Sequence, residues 1–109
     1  MNWIELDKIG QLSDIRQLSQ ARPQLIFKHS TRCFISSMIK DRLERTVPPN
    51  EIDFYMLDII RCRQISNMIA YEFSVHHESP QILLIKNGDC VYDESHNDIN
   101  MNAIASQMK

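Results

Sequence analysis

No apolar run in this 109-residue chain approaches the roughly 20 residues that span a bilayer. The first residues also lack the apolar core of a secretory signal. A cytoplasmic protein with no membrane partner is therefore the expectation. A net charge of −2 leaves no excess of either sign, and with it no electrostatic case for nucleic acid or an anionic surface. Cysteine is scarce and odd in number, three in all, which does not make a disulfide framework. There is no Cys-x-x-Cys pair and no histidine cluster at ligand spacing, so a structural zinc site is not expected. His76 and His77 are adjacent in what reads as an extended loop, where neighbouring side chains face apart; no metal is assigned to them. Internal repeats, low-complexity stretches and domain boundaries are absent as well. Thiols kept reduced, whether chemically used or merely buried, fit this pattern.

The content that remains, 43% apolar and 24% charged, is that of an ordinary globular domain, expected to be a single monomeric unit over residues 1–109. Asn2 to Leu6 reads as a short edge strand with Trp3 as a core anchor. Ile9, Leu12, Ile15 and Leu18 recur every three residues and predict a helix from Lys8 to Ala21, ended by Arg22 and Pro23. Gln24 to His29 is a strand, followed by a helix running to about Thr46. Ile52 to Asp58 is strand-like, Gln64 to Phe73 helical, and Gln81 to Lys86 a buried strand. Asn87 and Gly88 form a strong hairpin signal. A returning strand from Cys90 and a helix from Asn100 to Met108 complete the chain. The order is β-α-β-α-β-α-β-β-α, an α/β arrangement in which two crossovers make parallel strands and the hairpin adds antiparallel ones. That is the order of the thioredoxin-like fold, a central mixed sheet flanked by helices.

The chain is organised around the stretch from Leu25 to Ser36. Leu25, Ile26 and Phe27 are consecutive apolar residues, as in a strand buried on both faces. Phe34, Ile35, Met38, Ile39 and Leu43 fall at helical spacing, and Ser30 and Thr31 suit the turn between. Cys33 is thus expected in the first turn of a helix, at the end of a strand and near the surface. Amides without intrahelical partners and the helix dipole would stabilise a thiolate there, with Arg32 and Lys28 acting the same way. A thiolate is the species that attacks a disulfide sulfur. The competing reading is an ordinary buried cysteine. From Cys33 to Ser36 the spacing is that of Cys-x-x-Cys with serine in the second place. Serine cannot close a disulfide, so a redox motif here would use one thiol and rely on an external one for release.

Four segments, taken together, resemble one family within that fold. They are Phe27 to Ser36, Arg63 to Asn67, His77 to Gln81, and the pair Ser95 and His96. They are similar to the pattern KHST-x-C-P-I-S, R-P-x-S-N, HESPQ and a late Ser-His of the monothiol bacilliredoxins, redox proteins of the bacillithiol system. The match covers about residues 24 to 99. It implies a thioredoxin-like fold and thiol–disulfide exchange in which bacillithiol is removed from S-bacillithiolated proteins, with no bound cofactor and with bacillithiol as co-substrate. The resemblance makes Cys33 the nucleophile and Ser36 the motif serine, with Thr31 and Arg32 beside them. It also implies a cis Pro80, preceded by Ser79, facing the cysteine. Two positions depart from the pattern: Phe34 and Gln64 both stand where it has proline.

Other candidates follow from the strand order. Ser95 and His96 return from the hairpin to the level of Pro80, where His96 either helps a leaving thiol or is a solvated loop residue. His29 reads as structural, bonding the loop before Cys33. Cys62 follows a parallel strand and is a candidate resolving thiol, whereas Cys90 reads as packed. For the carboxylates of the small thiol, Lys28, Arg32, Arg61 and Arg63 form an expected basic rim, with Lys28, Arg63 and Ser95 assigned to thiol-substrate binding. Two alternatives stay open: a non-catalytic thioredoxin-like module that holds an extended peptide, or a glutaredoxin- or arsenate-reductase-like enzyme using another thiol.

Overall fold

The computed structural model describes residues 1–108. Its elements are β1 (Trp3–Glu5), α1 (Gln11–Leu18), β2 (Gln24–His29), α2 (Phe34–Glu44), β3 (Asp53–Asp58), α3 (Arg63–Phe73), β4 (Gln81–Lys86), β5 (Asp89–Ser95) and α4 (Met101–Ser106), with a 3-10 turn at His96–Asp98 before α4. The five strands lie in the order β1-β3-β2-β4-β5. β1 and β2 run parallel to β3, and β4 runs antiparallel to both β2 and β5. This is the expected mixed α/β sheet of the thioredoxin-like fold.

Strand alternation divides the core into two layers. Ile26, Tyr55, Leu57, Leu83 and Ile85 face α1 and α3, which cover them with Leu12, Ile15, Ile65, Ile69 and Phe73. Leu25, Phe27, Phe54, Ile82 and Leu84 face α2 and α4 through Ile39, Leu43, Met101 and Ile104. Trp3, a core anchor in expectation, is half-buried at the edge and stacks on Phe27, with ring centroids 5.6 Å apart.

The helix predicted from Lys8 to Ala21 is shorter, and local hydrogen bonds explain why. Gln11 Oε1 accepts from the N–H groups of Asp7 and Lys8, each at 2.9 Å, which folds those residues into a turn before the helix. At the other end Ser19 Oγ donates to the Arg16 carbonyl and receives Gly88 N–H at 2.8 Å. Ile9 and Leu18, the outer members of the apolar repeat, are left 52% and 47% exposed. The hairpin turn is built as expected: Asn87 and Gly88 both have positive φ, at 53° and 83°, the left-handed pair that a two-residue turn requires. Among the described residues no helix is long and apolar enough to cross a membrane.

Candidate functional site

Register places the chemistry at one end of the sheet. His29 faces Asp58 across β2 and β3, Lys28 faces Gln81 across β2 and β4, and Gln81 faces Ser95 across β4 and β5. The segments that continue from these residues, to Cys33, Cys62, Pro80 and His96, therefore share that end. Ile59 N–H donating to the His29 carbonyl at 3.0 Å, and His96 N–H donating to the Pro80 carbonyl at 3.0 Å, tie them together.

Cys33 is the N-cap of α2, with extended backbone at φ −108° and ψ 119°, one position before the first turn in which it was expected. Its N–H donates to the Ser30 carbonyl, and its own carbonyl accepts from Ser37 N–H. The half-buried thiol thus lies where the first amides of α2 have no intrahelical acceptor. Thr31 and Arg32 are exposed beside it, and Phe34 stands 80% exposed at the head of the helix.

Ser36 points the other way and is fully buried. Its Oγ accepts from Ser30 N–H at 3.0 Å and lies 2.6 Å from His29 Nδ1. The hydroxyl and the imidazole nitrogen share one hydrogen, whose direction follows the ring's tautomer. Burial, followed by the charge of Lys40, holds the His29 pKa below its ordinary value and favours the neutral ring. Ser36 and His29 therefore fasten the turn that carries Cys33 to the start of α2, in keeping with the structural part expected of His29.

Lys28 requires a correction. It was assigned to the basic rim as a substrate-binding cation, yet it is 0% exposed. Strand alternation points it under α3, where Nζ donates to the Ser66 carbonyl at 3.2 Å and to His77 Nδ1 at 3.1 Å. Ser66 Oγ lies 3.2 Å from the same nitrogen. An ammonium only donates, so His77 Nδ1 is unprotonated and its proton is on Nε2. Desolvation lowers the Lys28 pKa to about 8. Burial first, and then Lys28 itself, lowers that of His77. This lysine binds β2, α3 and the segment before Pro80 into one buried unit and has no surface to offer a substrate. Sequence reading missed the network, although the even spacing of Ile26 and Lys28 on one strand put both on the same covered face. Arg63, by contrast, is exposed at the first position of α3, and Ser95 is half-buried at the end of β5.

The Ser79–Pro80 peptide bond is cis, as the resemblance implied. Ser79 Oγ is a buried side-chain oxygen without a hydrogen-bond partner among the described residues. Glu78 stands between two imidazoles, 3.7 Å from His96 Nε2 and 3.8 Å from His76 Nε2, contacts that are ionic only when the rings are protonated. His76 faces Glu78 and His77 faces Lys28, so the adjacent pair does diverge. Among the described residues no three His, Cys, Asp or Glu side chains are arranged to hold a metal ion.

The two further thiols differ in setting. Cys62 is the N-cap of α3, half-buried, on the same sheet end as Cys33. Cys90 is packed against the α1–α3 layer and donates to the Tyr92 carbonyl at 3.4 Å. Burial pushes its pKa up to about 11.

This fold is shared with known proteins. The fold matches a solved structure described as a candidate oxidoreductase with a thioredoxin fold, at a TM-score of 0.85 and 30% identity over 97% of this chain and 93% of that one. It is also similar to the thioredoxin of Malassezia sympodialis, at a TM-score of 0.76 and 16% identity over 98% of this chain and 88% of that one. The thioredoxin of Fasciola hepatica matches at 0.70 and 18% over 95% and 94%; at such identities these two likenesses concern the fold alone. Residues 4–104 match the family described as Monothiol bacilliredoxin BrxC, and the chain belongs to it.

Proposed function

We propose that this protein is a monothiol thiol–disulfide oxidoreductase that removes bacillithiol from mixed disulfides on proteins. Family and fold support a thiol redox role; the particular reaction is our reading of the site. The observation that carries it is the division of labour between Cys33 and Ser36. One caps α2 beside free amides, and the other is buried and committed to Ser30 and His29. The motif thus presents a single sulfur with no partner inside it. The Cys33 thiolate attacks the bacillithiol sulfur of the mixed disulfide, the protein thiolate leaves, and Cys33 carries the adduct. A second bacillithiol thiolate then attacks that adduct and frees Cys33 as the symmetric small disulfide departs. In this reading His96, whose backbone N–H donates to the Pro80 carbonyl, protonates the leaving thiolate.

The test is turnover of an S-bacillithiolated protein, with mass spectrometry of the enzyme during the reaction. A bacillithiol adduct on Cys33 is expected. Cys33→Ser should lower turnover by roughly 1,000-fold or more, to background, because the nucleophile is gone. Cys62→Ser should stay within about twofold. Equal loss from both substitutions would replace this cycle with a two-cysteine one.

A further inference from the structure

Lys28 and His29 end β2 side by side and point to opposite faces of the sheet. His29 lies on the α2 side, where Ser36 ties it to the turn that carries Cys33. Lys28 lies on the α3 side, where Nζ donates to His77 Nδ1 at 3.1 Å and to the Ser66 carbonyl at 3.2 Å. We propose that Lys28 and His77 are positioning residues for disulfide capture: their contact holds residues 77–80, the segment that ends on Pro80, in place against the Cys33 turn, and does so only while the His77 ring is neutral. The proposal rests on the exchange reaction given above.

Three observations carry it. The segment is gripped from several elements at once. Gln81, the buried register partner of Lys28, donates from Nε2 to the His76 carbonyl at 3.0 Å and accepts Glu78 N–H at 3.3 Å. His96 N–H holds the Pro80 carbonyl from the end of β5, and His77 adds a side-chain anchor beneath α3. The second observation is the cation itself. Lys28 and Ser66 are both 0% exposed, and the acceptors of the ammonium are a carbonyl and an imidazole rather than a carboxylate. An apolar side chain of that length would serve stability better, so the charge points to a task beyond packing. The third is the setting of His77. Burial opposes a proton on its ring most, followed by Lys28 on β2 and Arg63 on α3; His76 beside it acts the same way, and Glu78 favours the proton. The ring is thereby held below its ordinary 6.5.

The consequence concerns acid. A proton arriving on Nδ1 would face the Lys28 ammonium, two donors with no acceptor between them. The contact then breaks, and residues 77–80 lose their anchor under α3. Nothing equivalent happens on the alkaline side. When Lys28 gives up a proton near 8, the amine keeps two hydrogens, enough for the Ser66 carbonyl and His77 Nδ1. The tie is acid-sensitive and alkali-tolerant. Capture requires the incoming disulfide to lie in line with the attacking sulfur, so a displaced segment at the same sheet end slows it without altering the thiol.

The test is single-turnover release of the protein thiol from an S-bacillithiolated protein, read beside iodoacetamide labelling of Cys33. Near neutral pH, Lys28→Met and His77→Ala should each slow release about tenfold, with labelling kept within about twofold. His77→Asn, whose Oδ1 stands in for Nδ1 as acceptor, should restore most of the rate. Its amide does not titrate, and it shares Cys33 and His96 with the wild type, so the ratio of the two release rates isolates His77. That ratio should be flat around neutrality and fall several-fold below about pH 6. Should Lys28→Met fail to fold, the His77→Asn profile carries the test by itself. A ratio flat throughout, or labelling lost in step with release, would overturn the positioning role while Cys33-dependent turnover left the exchange reading standing. Release persisting in Cys33→Ser would remove both.

Discussion

Two junctions of this protein start from facing residues and end on a cysteine. His29 and Asp58 are partners across parallel strands, and four residues beyond each lies the cap of the next helix, Cys33 on α2 and Cys62 on α3. The backbone does similar things in both: each cysteine N–H donates back to the turn, and each cysteine carbonyl accepts the first helical bond, from Ser37 and from Ser66. What differs is the side chains beneath. At the second junction Asp58 Oδ1 accepts from Ile60 N–H at 2.9 Å and from Arg61 N–H at 3.4 Å. A carboxylate already occupies the amide-rich turn, where a second anion would have to form. At the first junction that work falls to the neutral pair Ser36 and His29, placed behind the turn. Similar backbone geometry thus leaves a neutral pair of side chains behind one corner and a carboxylate within the other.

The contrast can be broken most directly by labelling. Under iodoacetamide at neutral pH, followed by peptide mass spectrometry, Cys33 should react fastest. It should exceed Cys62 by roughly tenfold and Cys90 by roughly 100-fold or more, since a thiol pushed to about 11 is almost wholly protonated. Equal rates at Cys33 and Cys62 would erase the distinction drawn between the corners.

Lys28 is the tie between them, reaching from β2 to Ser66 on α3. Its folded pKa, about 8, lies below the ordinary 10.5, so between those values the unfolded chain binds more protons than the folded one. Stability from this residue therefore grows as pH rises through that window, by on the order of 3 kcal/mol, and is lost again as pH falls back toward 8. Denaturant unfolding across pH 7.5 to 10.5 should show this rise in the wild type and lack it in Lys28→Met. Parallel curves would mean that the ammonium is not desolvated.

Smaller effects sharpen the contrast further. Ser36→Ala leaves the buried Ser30 N–H without an acceptor and should cost about 1–3 kcal/mol in denaturant unfolding, with Cys33 labelling slowed as its turn loosens. At the other corner, Asp58→Asn keeps an oxygen for Ile60 N–H but removes the charge. Its cost should stay below about 1 kcal/mol, and Cys62 labelling should quicken by only a few-fold.

Much of this was legible beforehand, for reasons that particular residues make plain. The continuous apolar runs Leu25 to Phe27 and Ile82 to Ile85 have no exposed face to hide, so β2 and β4 could be placed to the residue. Asn87 and Gly88 encode their turn locally. Helix α1 was overextended because apolar spacing counts Ile9 and Leu18 without knowing that Gln11 and Ser19 close the ends from the side. The candidate site was legible where a motif carried it, at Cys33, Ser36 and Pro80. It was not legible where tertiary pairing decided the outcome. A lysine near a strand end reads as a surface cation until a helix from elsewhere in the chain lies over it, and nothing near Trp3 in sequence announces that its ring stacks on Phe27.

Phe34 has one last bearing on this arrangement. It holds the place given to proline in the family pattern, and its ring projects into solvent next to the sulfur, with Ile35 and Met38 partly bare along the same helix. Any surface brought up to the head of this helix has to be set against that aromatic knob.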